Sequence, residues 1–96
     1  MSIVAETEGA TCVLRLSGQF DFSCRNEFRS AYMSSPKSAT FVVDMTDVDY
    51  LDSAALGMLL LLRDYSATGK RVAIRGMRGQ AEQVLRIANF QKLFQF

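Results

Sequence analysis

The 96 residues carry a net charge of +1 and are 49% apolar, enough for one domain spanning 1–96 with a real core, and with no global field to draw nucleic acid or an anionic membrane. Histidine is absent and the two cysteines, Cys12 and Cys24, lack a CxxC spacing, so the chain alone supplies no zinc site and no Ser-His-Asp or Cys-His hydrolytic centre. The longest apolar run, Met58 to Leu62, falls far short of the roughly 20 residues that span a bilayer, and the opening residues lack the basic-then-apolar pattern of a secretory signal, so the cytoplasm is the expected compartment.

Ser2 to Thr7 reads as a first strand, with a turn at Glu8-Gly9. Ala10 to Ser17 alternates, placing Cys12, Leu14 and Leu16 on one face, the period of a half-buried strand. The two form a hairpin, and Cys12 faces inward as a small hydrophobe. Gly18 breaks the pattern. Ser23 is the expected cap of a helix from about Cys24 to Met33, with Phe28, Ala31 and Tyr32 buried. Pro36, in a serine-rich solvated loop, ends that helix.

Thr40 to Met45 is the third strand, and Phe41, Val42 and Val43 mark it as central. A loop from Thr46 to Asp52 leads to a second helix over about Ala54 to Thr68, capped by Ser53 and closed by Gly69. Lys70 to Arg75 is a fourth strand, and a third helix covers about Gln80 to Asn89 with Ala81, Val84, Leu85 and Ala88 on one face. The tail holds Leu93, Phe94 and Phe96 and is expected to pack back onto the domain. The order β-β-α-β-α-β-α predicts an α/β fold: a mixed four- to five-stranded sheet, helices mainly on one face, with the third and fourth strands parallel.

The second helix is apolar almost all round. Advancing about 100° per residue puts Leu61, Ala54, Tyr65, Met58, Leu62, Ala55 and Leu59 on the arc assigned to the sheet. Arg63 lies opposite, and Leu56, Leu60 and Ala67 form a narrow second apolar strip. Such a strip is either covered by a neighbouring helix or left open to bind a partner. Leu56, Gly57, Leu60 and Arg63 are the expected partner-binding residues.

Ser53 carries two compatible readings. One is a plain helix cap. The other is a regulated phosphorylation site, because free amides and the positive dipole end at a helix start favour an anion there. Asp44, Asp47, Asp49 and Asp52 could hold only a hard cation; caps and turns are the favoured use, and no metal or cofactor is expected. Lys70, Arg71, Arg75 and Arg78 read first as a solvated face and second as a dock for an acidic partner.

At Asp44 to Gly57, DMTDVDYLDSAALG, the chain resembles the STAS domain, the family named for sulfate transporters and anti-sigma factor antagonists. Asp52, Ser53, Ala54, Leu56 and Gly57 match the family's Asp-Ser-small-Gly-Leu-Gly, with Ala55 in place of the first Gly. Gly18-Gln19-Phe20-Asp21 is similar to the family's Gly-x-Leu/Phe-Asp. The resemblance implies a stand-alone bacterial anti-sigma factor antagonist and not an enzyme. It implies an anti-sigma factor as partner, possibly itself the serine kinase that acts on Ser53, and a PP2C-type phosphatase that reverses the reaction. It implies that Asp21 and Asp52, with Ser23 beside them, flank the phosphorylation pocket. The alternative within the family is an interaction subunit of a lipid-transport ATPase complex without a phosphoswitch; such subunits often carry Thr at the Ser53 position. A receiver domain lacks its acidic pair here, and a nucleotide-binding enzyme lacks its Gly-rich loop.

Overall fold

The computed structural model describes residues 1–67 and 72–96. Strand β1, Ser2–Glu8, turns at Gly9, where φ is +57°, into β2, Thr11–Phe20. They pair antiparallel from Ser2 opposite Ser17 to Glu8 opposite Thr11. Helix α1, Arg25–Met33, crosses to β3, Thr40–Leu51; helix α2, Ser53–Tyr65, crosses to β4, Ala73–Arg75; helix α3, Gly79–Ile87, follows. The sheet has four strands in the order β1-β2-β3-β4, and both the β2–β3 and β3–β4 pairs are parallel. The expected mixed sheet is therefore observed, with parallel pairing beginning at the second strand.

The strand alternation sorts the sheet into two faces. Cys12, Leu14 and Leu16 of β2, Phe41, Val43 and Met45 of β3 and Ile74 of β4 are buried in one cluster with Phe28 and Tyr32 of α1, Met58, Leu59 and Leu62 of α2, and Ala81 and Leu85 of α3. All three helices thus contribute to the core on one face. Aromatic rings tie the layers together: Phe20 lies 5.0 Å from Phe28, Tyr32 5.3 Å from Tyr65, and Tyr65 6.0 Å from Phe41, measured between centroids. The Tyr65 hydroxyl donates to the Ser35 carbonyl at 2.6 Å, fixing the end of α2 against the Pro36 loop. No helix among the described residues is long and apolar enough to cross a membrane.

On the other face an ion-pair row crosses all four strands. Arg15 Nε lies 3.1 Å from Glu6, Arg15 Nη1 2.9 Å from Asp44, and Arg75 Nη2 3.7 Å from Asp44. Asp44 also accepts from the Thr46 amide at 3.0 Å and the Thr46 hydroxyl at 2.6 Å. The carboxylate that opened the acidic segment in the sequence is thus an electrostatic hub of the sheet.

Several boundaries differ from the sequence reading. Strands β2 and β3 do not stop at Ser17 and Met45; they pair onward to Phe20 and Leu51, with register shifts between Arg15 and Ser17 and between Gly18 and Gln19. Gly18, at φ +91°, supplies the bend, so the strand continues past it rather than ending there. Asp47 and Asp49 accordingly sit in a strand and not in a loop. Helix α2 ends at Tyr65, where Ser66 becomes extended. The predicted closure at Gly69 and the start of the fourth strand at Lys70 and Arg71 lie outside the described residues. The tail packs back through Leu93 and Phe94 but not Phe96, which is exposed: Phe90 and Phe94 are buried and stacked at 5.2 Å, and Gln95 bridges β4 through Ile74 N–H to Gln95 O at 2.7 Å.

Burial pushes the Asp44 carboxyl up, but the two Thr46 bonds, then Arg75 and Arg15, outweigh it and hold it below the usual carboxylate range. A depressed folded value contributes stability above the unfolded pKa of about 3.9 that is lost as pH falls through the folded value. Asp44→Asn is expected to cost about 1 kcal/mol at neutral pH, since the two arginines are half exposed. Urea denaturation should show the gap between wild type and variant closing as the pH is lowered below about 4; a pH-independent gap would remove the charge from the explanation.

Candidate functional site

The carboxyl ends of β2 and β3 lie side by side, as expected for ligand or partner sites on parallel sheets. Phe20 pairs with Leu51, and the Asp52 amide donates to the Phe20 carbonyl at 3.3 Å. Asp21 and Asp52 are the next residues on the two strands, so the pairing brings the two acidic caps together. Each opens a helix. Asp21 accepts the Ser23 amide at 3.0 Å and also the Ser23 hydroxyl, and starts a 3-10 turn, Phe22–Cys24, that leads into α1. Asp52 accepts the Ala55 amide at 3.0 Å and starts α2.

This reassigns both predicted caps. Ser23 does not cap the first helix: Asp21 caps the 3-10 turn before it, with the Ser23 amide and hydroxyl donating, and Cys24 at the cap position of α1 makes no side-chain cap bond. Ser53 does not cap the second; Asp52 does, and Ser53 is the first residue of α2. Asp and Ser are about equally good caps, so residue type could not choose between neighbours. The length of the β2–β3 pairing chose. With Leu51 still in the strand, Asp52 is the residue left at the junction in extended conformation.

Ser53 is exposed, and among the described residues its hydroxyl makes no hydrogen bond. Asp21 is held below the usual carboxylate range by the Ser23 hydroxyl and then by the Ser23 amide, so it stays negative. Cys24 is close by, but burial pushes its thiol up and leaves it protonated.

A residue that sequence reasoning passed over fixes the junction. Gln80, at the start of α3, grips the Leu51 backbone with both ends of its amide: Oε1 accepts the Leu51 N–H at 3.0 Å and Nε2 donates to the Leu51 carbonyl at 2.9 Å. It stands in for a missing strand partner. No local pattern marks such a contact, because its partners are 29 positions apart.

The partner-binding expectation is partly redistributed. Ala55, Met58, Leu59 and Leu62 are the buried arc of α2. Leu56 and Leu60 are half-buried and packed against the same core, so they are not an open strip. Leu61, assigned to the sheet by periodicity, is 55% exposed instead. Gly57 and Arg63 are exposed. The solvent stripe that descends from Ser53 is therefore Ser53, Gly57, Leu61 and Asp64. A helix apolar on every side offers periodicity no contrast, and its orientation is set by α1.

Two stability predictions separate the roles at the junction. Asp52→Ala should cost about 1 kcal/mol through loss of the cap, and Ser53→Ala should stay within about 0.5 kcal/mol. Equal losses in denaturant titrations would show that Ser53 shares the capping. Gln80→Leu should cost about 2 kcal/mol, because both Leu51 backbone groups lose their partners; a neutral result would make the clamp dispensable.

The comparisons with known proteins agree with this geometry. A family model described as Mlab, STAS domain, matches residues 3–95. A STAS-domain containing protein of Pseudomonas aeruginosa (strain UCBPP-PA14) is 36% identical over 100 residues, covering 98% of this chain and 97% of its own length. The crystal structure of a putative anti-sigma factor antagonist from Thermotoga maritima superposes with a TM-score of 0.82 at 15% identity, over 96% of this chain and 82% of that one. The Bacillus cell fate determinant SpoIIAA in its phosphorylated form gives 0.68 at 17% identity, over 97% and 88%. The last two establish a shared fold. The family match and the Pseudomonas relative together show that this chain belongs to the STAS domain family.

Proposed function

We propose that this protein is an anti-sigma factor antagonist of the bacterial cytoplasm: it binds an anti-sigma factor, so releasing a sigma factor, and phosphorylation of Ser53 ends the binding. The observation that carries this reading is a serine the fold does not use. Ser53 is exposed and, among the described residues, unbonded at the first position of α2, while Asp52 does the capping. The family resemblance at Asp52-Ser53 and the anti-sigma factor antagonists among the fold neighbours support it.

The physics gives the switch its sign. Phosphate adds nearly two negative charges. The first-turn amides and the dipole of α2 receive them, so the domain stays folded. A partner that docks over Ser53 must desolvate those charges beside Asp21 and Asp52, with the Asp21–Ser23 turn forming the neighbouring wall. Gly57 and Arg63, and the exposed edges of Leu56 and Leu60, extend the contact along α2. The kinase is the anti-sigma factor or an associated serine kinase, and a PP2C-type phosphatase restores the free hydroxyl.

One observation favours a second reading, the interaction subunit of a lipid-transport ATPase complex: the matching family model is the Mlab one. In that case Ser53 would be a contact residue that is never modified. Two measurements decide. Mass spectrometry of the protein isolated from growing cells should find phosphate on Ser53. Calorimetry with the purified partner should show Ser53→Asp binding at least about tenfold more weakly, a loss of 1.4 kcal/mol, and Ser53→Ala binding like unphosphorylated wild type. Equal affinity of wild type, Ser53→Asp and phosphorylated protein would eliminate the switch.

A further inference from the structure

Helices α1 and α2 both start at the paired ends of β2 and β3 and run back beside each other, and between them lies a groove of about 600 Å³. Its floor is the aromatic and sulfur surface of Tyr32 and Met58. Its rims carry two of the large apolar side chains that the fold leaves exposed, Met33 at 48% and Leu61 at 55%. Arg25 and Arg29 stand one turn apart on the α1 wall, in the same stripe as Met33. Among the described residues neither arginine has an ion-pair partner, whereas Arg15, Arg75 and Arg86 all do. Arg25 is stacked over the exposed ring of Phe22 at 4.7 Å, which holds its guanidinium at the mouth of the groove. The opposite charge, Asp64, lies in the last turn of α2 at the far end.

From this we infer that the groove receives an amphipathic helix of another protein, with leucine-type side chains seated between Met33 and Leu61 and carboxylates one turn apart facing Arg25 and Arg29. The inference deepens the reading of the chain as a protein-binding domain switched at Ser53, and rests on it. Charge sets the polarity: the acidic end of the occupant lies against Arg25 and Arg29, and a neutral or basic end toward Asp64. Gly57 lies one turn before Leu61 on the exposed side of α2, and a Cβ there would meet nothing within 4 Å. Glycine inside a helix costs about 1 kcal/mol relative to alanine, and no contact among the described residues requires it. It lets a partner backbone approach α2 closely. A second copy of this chain is a poor occupant, because α1, α2 and α3 each contain a single carboxylate, Glu27, Asp64 and Glu82 respectively. A phosphate on Ser53, two turns before Leu61 on the exposed stripe of α2, would add negative charge on the side where the occupant's carboxylates meet Arg25 and Arg29.

The test uses the full chain, isotope-labelled for amide NMR, and two helix-favouring peptides. Both have leucines at i, i+3, i+4 and i+7; one carries paired glutamates at one end, the other lysines in their place. The acidic peptide should shift amides along α1 and α2, including those of Arg25, Arg29 and Leu61. The lysine peptide should bind about tenfold more weakly, and the Arg25→Glu/Arg29→Glu double variant should reverse that preference. Binding of the acidic peptide should also weaken as salt shortens the screening length below about 8 Å. Equal binding of the two peptides, shifts confined to other surfaces, or no shifts at millimolar peptide would overturn the inference. Ser53→Asp separates it from the switch. If the acidic peptide prefers wild type, groove and switch are coupled as stated. If Ser53→Asp leaves peptide binding unchanged while partner binding in calorimetry is lost, the switch stands and the groove is not its target.

Discussion

The site depends on one residue's backbone. Leu51 is the last residue of β3; it pairs with Phe20, is gripped on both sides by the Gln80 amide, and hands the chain to Asp52, whose own amide reaches back to Phe20. A parallel strand at its carboxyl end normally frays into loop. Here three separate elements, β2, α3 and the cap of α2, hold it in place. That is why Asp21 and Asp52 follow paired strand ends, and why Ser53 has a defined place although among the described residues nothing bonds its side chain. Rigidity supplied from behind leaves the front of the site free for recognition.

Helix α2 resolves two competing demands. Its buried arc must complete a core for a small sheet, and it does so with Ala55, Met58, Leu59 and Leu62. Its outer side remains partly apolar, with Leu61 exposed and Gly57 weakening the helix at a position where alanine would fit. An isolated domain optimised for stability and solubility would place polar residues at both positions. On α2 both departures lie on the stripe that begins at Ser53.

The opposite face of the sheet follows different rules. Glu6, Arg15, Asp44 and Arg75 form a continuous row of paired charges, so its cations already have partners. Among the described residues Arg25 and Arg29, on the helical side, have no ion-pair partner. The contrast separates arginines that hold the sheet together from arginines outside that row, although all four look alike in sequence.

The sequence by itself determined the element order, the mixed sheet, the family and the Asp52-Ser53 junction. These rest on local signals: alternation in β2, a continuous apolar run in β3, caps beside helices, and a motif contiguous over a few residues. Only the tertiary structure decided that Asp52 and not Ser53 caps α2, and that Asp21 caps a 3-10 turn ahead of α1, because that depends on how far β2 and β3 stay paired, and the shifts near Gly18 that extend the pairing are a property of two strands and not of one. It alone decided that Leu61 is exposed while Leu56 and Leu60 are half-buried, because a helix apolar almost all round carries little internal mark of its orientation, and packing against the sheet and α1 sets it. It alone revealed Gln80 as the clamp on Leu51 and Asp44 as the hub of the ion-pair row, because those contacts join residues about thirty positions apart, which chain closure brings together and no local spacing records.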